Sequence, residues 1–169
     1  MLLEGVTGFL LIHKGIKMIS QKILLTMYEY SYFLASQAVD GIPHKDSLIS
    51  PPGGDNPANW ILGHIITSRS NVLAMLKIDP PWDFERCKPY LPESKPLSPG
   101  DIVEDFLEMV IAYEKTQLNL LAAIQELTQE QLEESLGENT LGEELAGYAI
   151  HEAYHAGEMA TLNNMNQSS

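Results

Sequence analysis

Apolar residues recur at helical spacing along four long stretches of this chain, and prolines and glycines break the pattern between them. From about 18 to 39 the stripe is Ile19, Ile23, Met27, Tyr30, Phe33 and Leu34, closed by Gly41 and Pro43. Asn56 and Pro57 open a second helix reaching about Ile78, whose face carries Trp60, His64, Asn71 and Met75. Ser98 to Asp101 read as the start of a third, with Ile102, Phe106, Met109, Val110, Tyr113, Gln117, Leu120 and Ile124 on its stripe. Thr128 to Gln131 resemble a capping box for a short turn ending near Gly137. Thr140 caps a last helix over about 141–165. No stretch alternates with period two, as a half-buried strand would. Four helices of about 20 residues, each about 30 Å long, predict an all-α four-helix bundle.

Residues 18–165 therefore make one domain, followed by a polar tail, 166–169. Residues 1–17 fit the pattern poorly and read as an N-terminal extension outside the core fold. Their apolar run from Val6 to Ile12 is too short to span a bilayer, and Glu4 stands where a signal peptide wants positive charge. His13 belongs to this extension.

Ten basic against 23 acidic residues give a net charge of −13. That balance argues against nucleic acid or an anionic membrane as partner, since both need clustered Lys and Arg. Cys87 is the sole cysteine, so no intrachain disulfide can form, which suits a reducing, cytoplasmic setting. Nothing around Cys87 marks an activated thiol. The 79–100 connection holds six prolines and is long for a compact domain. Its Trp82, Phe84 and Tyr90 could cover a pocket or pin the loop to the bundle. His44 lies in the Pro/Gly-rich 41–56 loop and reads as exposed.

His151 and His155 stand four apart in the last helix, so their imidazoles share a face and can converge on one metal ion. With Glu152 they spell H-E-x-x-H, a zinc-protease signature. That signature needs a third ligand downstream. No histidine follows His155, and the extended motif's last ligand position holds Thr161. A ligand from another helix is the alternative, and His64 is the natural candidate, although a lone helical histidine is more often a core residue. Glu152 lies about 100° off the ligand stripe and reads as a bystander. Tyr148 and Glu158, three residues before and after the pair, could orient an imidazole or a bound water, or be a packing residue and a surface charge.

The pairing of Trp60-x-x-x-His64 with His151-x-x-x-His155-x-Gly157-Glu158-Met159 resembles the DinB/YfiT-like metalloenzyme family. The resemblance covers about 18–165 and implies a four-helix bundle with His64, His151 and His155 as ligands to a divalent metal, zinc or nickel. It also implies a homodimer. Relatives of that kind are thiol-dependent transferases and isomerases acting with small-molecule thiols such as bacillithiol or mycothiol. The expected function is thus a three-His metalloenzyme of thiol S-transferase type. The alternative is a non-catalytic metal- or small-ligand-binding dimeric bundle.

Overall fold

The computed structural model describes residues 19–167, apart from 52, 54, 55, 96, 98–100 and 102. The extension 1–17, with His13, lies outside the described residues. The helices are α1 (Gln21–Val39), α2 (His44–Ser47), α3 (Ala58–Met75), α4 (Phe84–Cys87), α5 (Phe106–Glu126), α6 (Gln129–Leu132) and α7 (Leu141–Gln167). A two-residue antiparallel ribbon, β1 (Ser135–Leu136) with β2 (Asn139–Thr140), turns at Gly137, whose φ of 71° favours glycine. α1, α3, α5 and α7 are the four long helices of an all-α bundle.

The caps follow the local sequence. The Ser20 side chain accepts from Ile23 N at the start of α1. Thr128 and Gln131 form a reciprocal capping box on α6. Thr140 and Glu143 do the same on α7, at 3.2 and 2.8 Å. α5 departs from expectation by beginning at Phe106 rather than near Asp101. Asp105 caps it, accepting from Leu107 N and Glu108 N. The preceding backbone is committed elsewhere: Glu104 N donates to the Tyr90 hydroxyl and Glu104 O accepts from Asn59, both at 3.1 Å.

Contacts between helices fix their directions. Along α1 and α7, Tyr28 meets Leu145, Ser31 meets Glu152 and Ala38 meets Asn163, so these two run parallel. Asn59 meets Met109 and Arg69 meets Thr116, so α3 and α5 are parallel too. Tyr32 stacks on Tyr113 while Gln117 reaches Tyr28, making α5 antiparallel to α1. The topology is up-down-down-up. Between the parallel helices α3 and α5 the chain must travel back about 27 Å, the length of an 18-residue helix. That return explains the long Pro-rich connection. Its Trp82 and Tyr90 are buried in the core and pin it, whereas Phe84 is exposed.

The α1 stripe expected from sequence is a correction. Ile23, Tyr30, Phe33 and Leu34 are exposed, and the buried face is Leu24, Tyr28, Ser31, Ala35 and Ala38. Small residues on that face let α7 pack close along it, so the larger apolar side chains point outward. α3 is the opposite case: every residue from Ala58 to Ser70 is buried, beneath α5, α7 and the crossover.

Among the described residues the core has two apolar clusters. One contains Ala35, Trp60, Ile65, Tyr90, Met109 and Met159, the other Leu24, Tyr28, Leu73, Leu120 and Leu145. A polar layer lies between them, made of Ser31, Arg69, Thr116 and Glu152, one residue from each long helix.

Candidate metal centre

His64 comes from the buried stretch of α3, and His151 and His155 from adjoining turns of α7. Because α3 and α7 are antiparallel, the three rings meet edge to face with centroids 4.4–5.0 Å apart. His151 Nε2 lies 3.1 Å from His64 Nε2 and 3.0 Å from His155 Nε2. The remaining ring nitrogens point outward. His64 Nδ1 donates to the Tyr90 carbonyl at 2.7 Å, and His155 Nδ1 donates to Glu158 Oε2 at 2.6 Å. Trp60 stacks flat on His64, with ring centroids 4.8 Å apart and planes 9° from parallel, and its indole N–H donates to Ser94 Oγ at 3.0 Å.

These outward bonds set the tautomers. A carbonyl and a carboxylate accept, so His64 and His155 carry their protons on Nδ1 and present bare Nε2 lone pairs to the centre. His151 has one Nε2 to place between them. A hydrogen bond to either leaves two nitrogens facing each other with no proton directed between them. His151 Nδ1 is buried with no partner among the described residues. A cation at the centre would satisfy all three inward nitrogens together. A point about 2.0–2.1 Å from each nitrogen subtends about 95° at each measured pair, within reach of imidazole ligation to a divalent ion. The three rings form a group that could hold a metal ion.

Burial and mutual repulsion keep these rings neutral, as ligation requires. Burial, then the neighbouring His155 and His64, pushes His151 down to about 3. Burial and His64 push His155 down to about 4, and burial lowers His64.

The other expected residues separate. Glu158 holds the His155 ring. The Tyr148 side chain packs on the cluster around Leu145. Glu152 points away from the three rings and is buried against Arg69. His44 Nδ1 accepts from Phe106 N at 3.1 Å and lies 3.8 Å from Asp105. Cys87 is buried, and burial raises its pKa, so it lacks the profile of a reactive thiolate.

Two contributors escape a reading of the sequence. The Tyr90 carbonyl is a backbone group, which leaves no side-chain signature. Arg69 does leave one: it is the only basic residue within an otherwise apolar and neutral helix, and such a charge needs a buried partner.

An all-α bundle whose facing helices bring three imidazoles together is a helical protein with a metal-competent three-His centre. The chain belongs to the DinB superfamily, whose family model matches residues 28–159, a span that includes all three histidines. A search of curated proteins returns no match.

Proposed function

We propose that this protein binds one divalent metal ion, zinc or nickel, through His64, His151 and His155, and uses the site as a thiol-dependent S-transferase. The observation that carries this reading is the convergence of the three Nε2 atoms, with two of the rings locked from outside by acceptors. Three protein ligands leave a position for a small molecule. Glu158 supports an open site over a closed structural one, because its nearer oxygen is occupied by His155 Nδ1. A divalent ion held there would supply a Lewis acid that lowers the pKa of a coordinated thiol.

The reaction would join the thiol sulfur to an electrophilic carbon. The carbon–leaving-group bond breaks, and the thiol proton is released with the leaving group. The chain's own part is positional. Tyr90 O and Glu158 retain the Nδ1 protons of His64 and His155, and Trp60 fixes the plane of His64. A homodimer and a reducing, cytoplasmic setting complete the proposal. Exposed apolar side chains on α1 and α7 support the first, and a single buried thiol suits the second. No helix among the described residues is long and apolar enough to cross a membrane.

The test is elemental analysis of protein purified without an affinity metal column, followed by thiol consumption with an added electrophile. The expected result is about one zinc or nickel per chain, lost in His64→Ala, with thiol disappearing only in the presence of metal-loaded wild type. Metal without thiol consumption would leave a non-catalytic binding bundle. No metal at neutral pH would end both.

A further inference from the structure

Arg69 and Glu152 form a buried ion pair one step behind the candidate ligands. Arg69 follows His64 by five residues on α3, and Glu152 adjoins His151 on α7. The same two helices that bring the imidazoles together are therefore cross-linked by a pair that is 1 % and 3 % exposed. Arg69 Nε donates to Glu152 Oε2 at 2.6 Å and Nη2 donates to Oε1 at 2.9 Å, the two-pronged geometry that constrains both distance and orientation.

The remaining helices join the same carboxylate and guanidinium. Ser31 Oγ of α1 donates to Glu152 Oε1 at 2.7 Å. The Tyr113 hydroxyl of α5 donates to Oε1 at 2.8 Å, and Thr116 Oγ1 accepts from Arg69 Nη1 at 2.8 Å. The guanidinium also lies 4.2 Å from the Tyr113 ring centroid. Burial works against the charged guanidinium, but Glu152, Tyr113 and Tyr28 together outweigh it and the pKa is raised. Apolar clusters lie on either side of this layer in all four helices, so sliding any helix by a turn would set an apolar residue against the charges.

A buried ion pair is weak evidence for stability, because desolvation offsets much of its attraction and apolar replacement is often neutral or better. Its better-attested use is to fix one register among several that an apolar core tolerates. We infer that Arg69 and Glu152 are positioning residues: they set the height and rotation of α7 against α3, and so hold the three Nε2 atoms in convergence. This rests on the metal-site reading for its consequence, but its geometric content holds with or without metal. Glu152, one position off the ligand stripe, would then serve the site from a neighbouring face of its helix.

The deciding variant is the double substitution Arg69→Met with Glu152→Leu, which replaces the ion pair with apolar side chains. Three measurements go together: the metal-free crystal structure, the denaturant midpoint of the metal-free protein, and zinc affinity by competition with a chromophoric chelator. The expected outcome is a folded protein with a metal-free midpoint near that of wild type, Nε2 separations widened beyond 3.1 Å, and zinc affinity lower by about 10–100-fold. Unchanged separations would overturn the inference, as would unchanged affinity. Should wild type bind no zinc, the metal reading fails while the separations still decide this one. Should the double variant not fold, Ser31→Ala and Tyr113→Phe decide instead, because each removes one bond to Glu152 and leaves the ion pair. Weaker zinc binding at an unaltered metal-free midpoint supports the inference, and wild-type affinity in both overturns it. Cobalt-loaded protein adds a signature that stability alone would not move, since its visible bands report coordination geometry.

Discussion

His64 Nδ1 sits 2.7 Å from the backbone carbonyl of Tyr90, so the crossover between α3 and α5 holds the one candidate ligand that α7 does not supply. That carbonyl stays in place because the rest of Tyr90 is anchored. Its ring is fully buried and lies tilted against Trp82 at 5.4 Å. Its hydroxyl accepts from Glu104 N and donates to Asn59 Oδ1 at 3.4 Å. The bidentate Arg86–Glu104 pair, at 2.9 and 2.7 Å, ties the crossover to the segment before α5. The connection thus works as a fixed strut on the site, built from residues distant in sequence from His64.

Gly63 makes that strut testable. A Cβ at this position would fall 2.2 Å from Tyr90 Cδ1 and 2.5 Å from Cε1, far inside contact distance, so the ring would have to move. Gly63→Ala is expected to destabilise the fold by about 1–3 kcal/mol, the usual range for overpacking a core. It should also weaken metal binding by about 10-fold or more, because His64 loses its orienting acceptor. Denaturant unfolding and chelator competition measure the two effects. Wild-type metal affinity in Gly63→Ala would count against a role for Tyr90 in holding His64.

Glu158 separates charge from orientation at His155. Glu158→Gln retains an oxygen that can accept from His155 Nδ1, while Glu158→Ala removes the acceptor. The expected order of metal affinity is wild type, then Gln, then Ala, with the last weaker by about 10–100-fold. Both variants should fold as wild type does, since this side chain is 40 % exposed. Equal affinity in all three would reduce Glu158 to a surface charge. Metal competition and far-ultraviolet circular dichroism check both halves of the expectation.

The parts of this architecture differ in how openly the sequence displays them. The stripe Phe106, Met109, Tyr113, Leu120 and Ile124 on α5 reads directly, because helical periodicity and burial coincide there. The pair His151 and His155 reads directly too, since one helix sets their spacing. His64 needed a family resemblance, as nothing local distinguishes a candidate ligand from a packed histidine. On α1 periodicity misled: Tyr30 and Phe33 outweigh Ser31 and Ala35 in hydrophobicity, yet close packing on α7 selected the small residues for the interior. Glu152 was legible only as a residue off the ligand stripe. Its pairing with Arg69, 83 positions away, depends on the antiparallel register of α3 and α7, which no local pattern encodes.

Buried phenols predict the alkaline limit of the fold. Tyr28 donates to Leu145 O at 2.9 Å and Tyr113 donates to Glu152 at 2.8 Å. Burial, reinforced by Glu152, raises both pKa values well above 10. In the unfolded chain each ionises near 10, so above that pH the folded state retains protons that the unfolded state has lost. Their contribution is present in full below pH 10 and is lost as the pH rises, by up to about 1.4 kcal/mol per tyrosine per pH unit. Unfolding free energies from denaturant titration should hold to about pH 10 and fall above it by up to that slope. In Tyr113→Phe the fall should be shallower by about one proton's worth.

The outer faces of α1 and α7 predict how the proposed homodimer forms. These helices pack side by side and expose Tyr30 at 67 % and Phe33 at 58 % on one, and Ile150 at 49 % and Tyr154 at 63 % on the other. Apolar exposure of this extent commonly marks a contact surface. A two-fold dimer would bury the same patch of each copy against its partner. Tyr30→Glu combined with Phe33→Glu should therefore convert a dimer to a monomer in light scattering at micromolar concentration. Because both side chains are exposed within one chain, the monomer's own fold should change by no more than about 0.5 kcal/mol per site. Metal content should stay at the wild-type level, since neither residue touches the three imidazoles. A wild-type protein that scatters as a monomer would remove the dimer from the proposal. A dimer that survives both substitutions would move its interface to another face of the bundle.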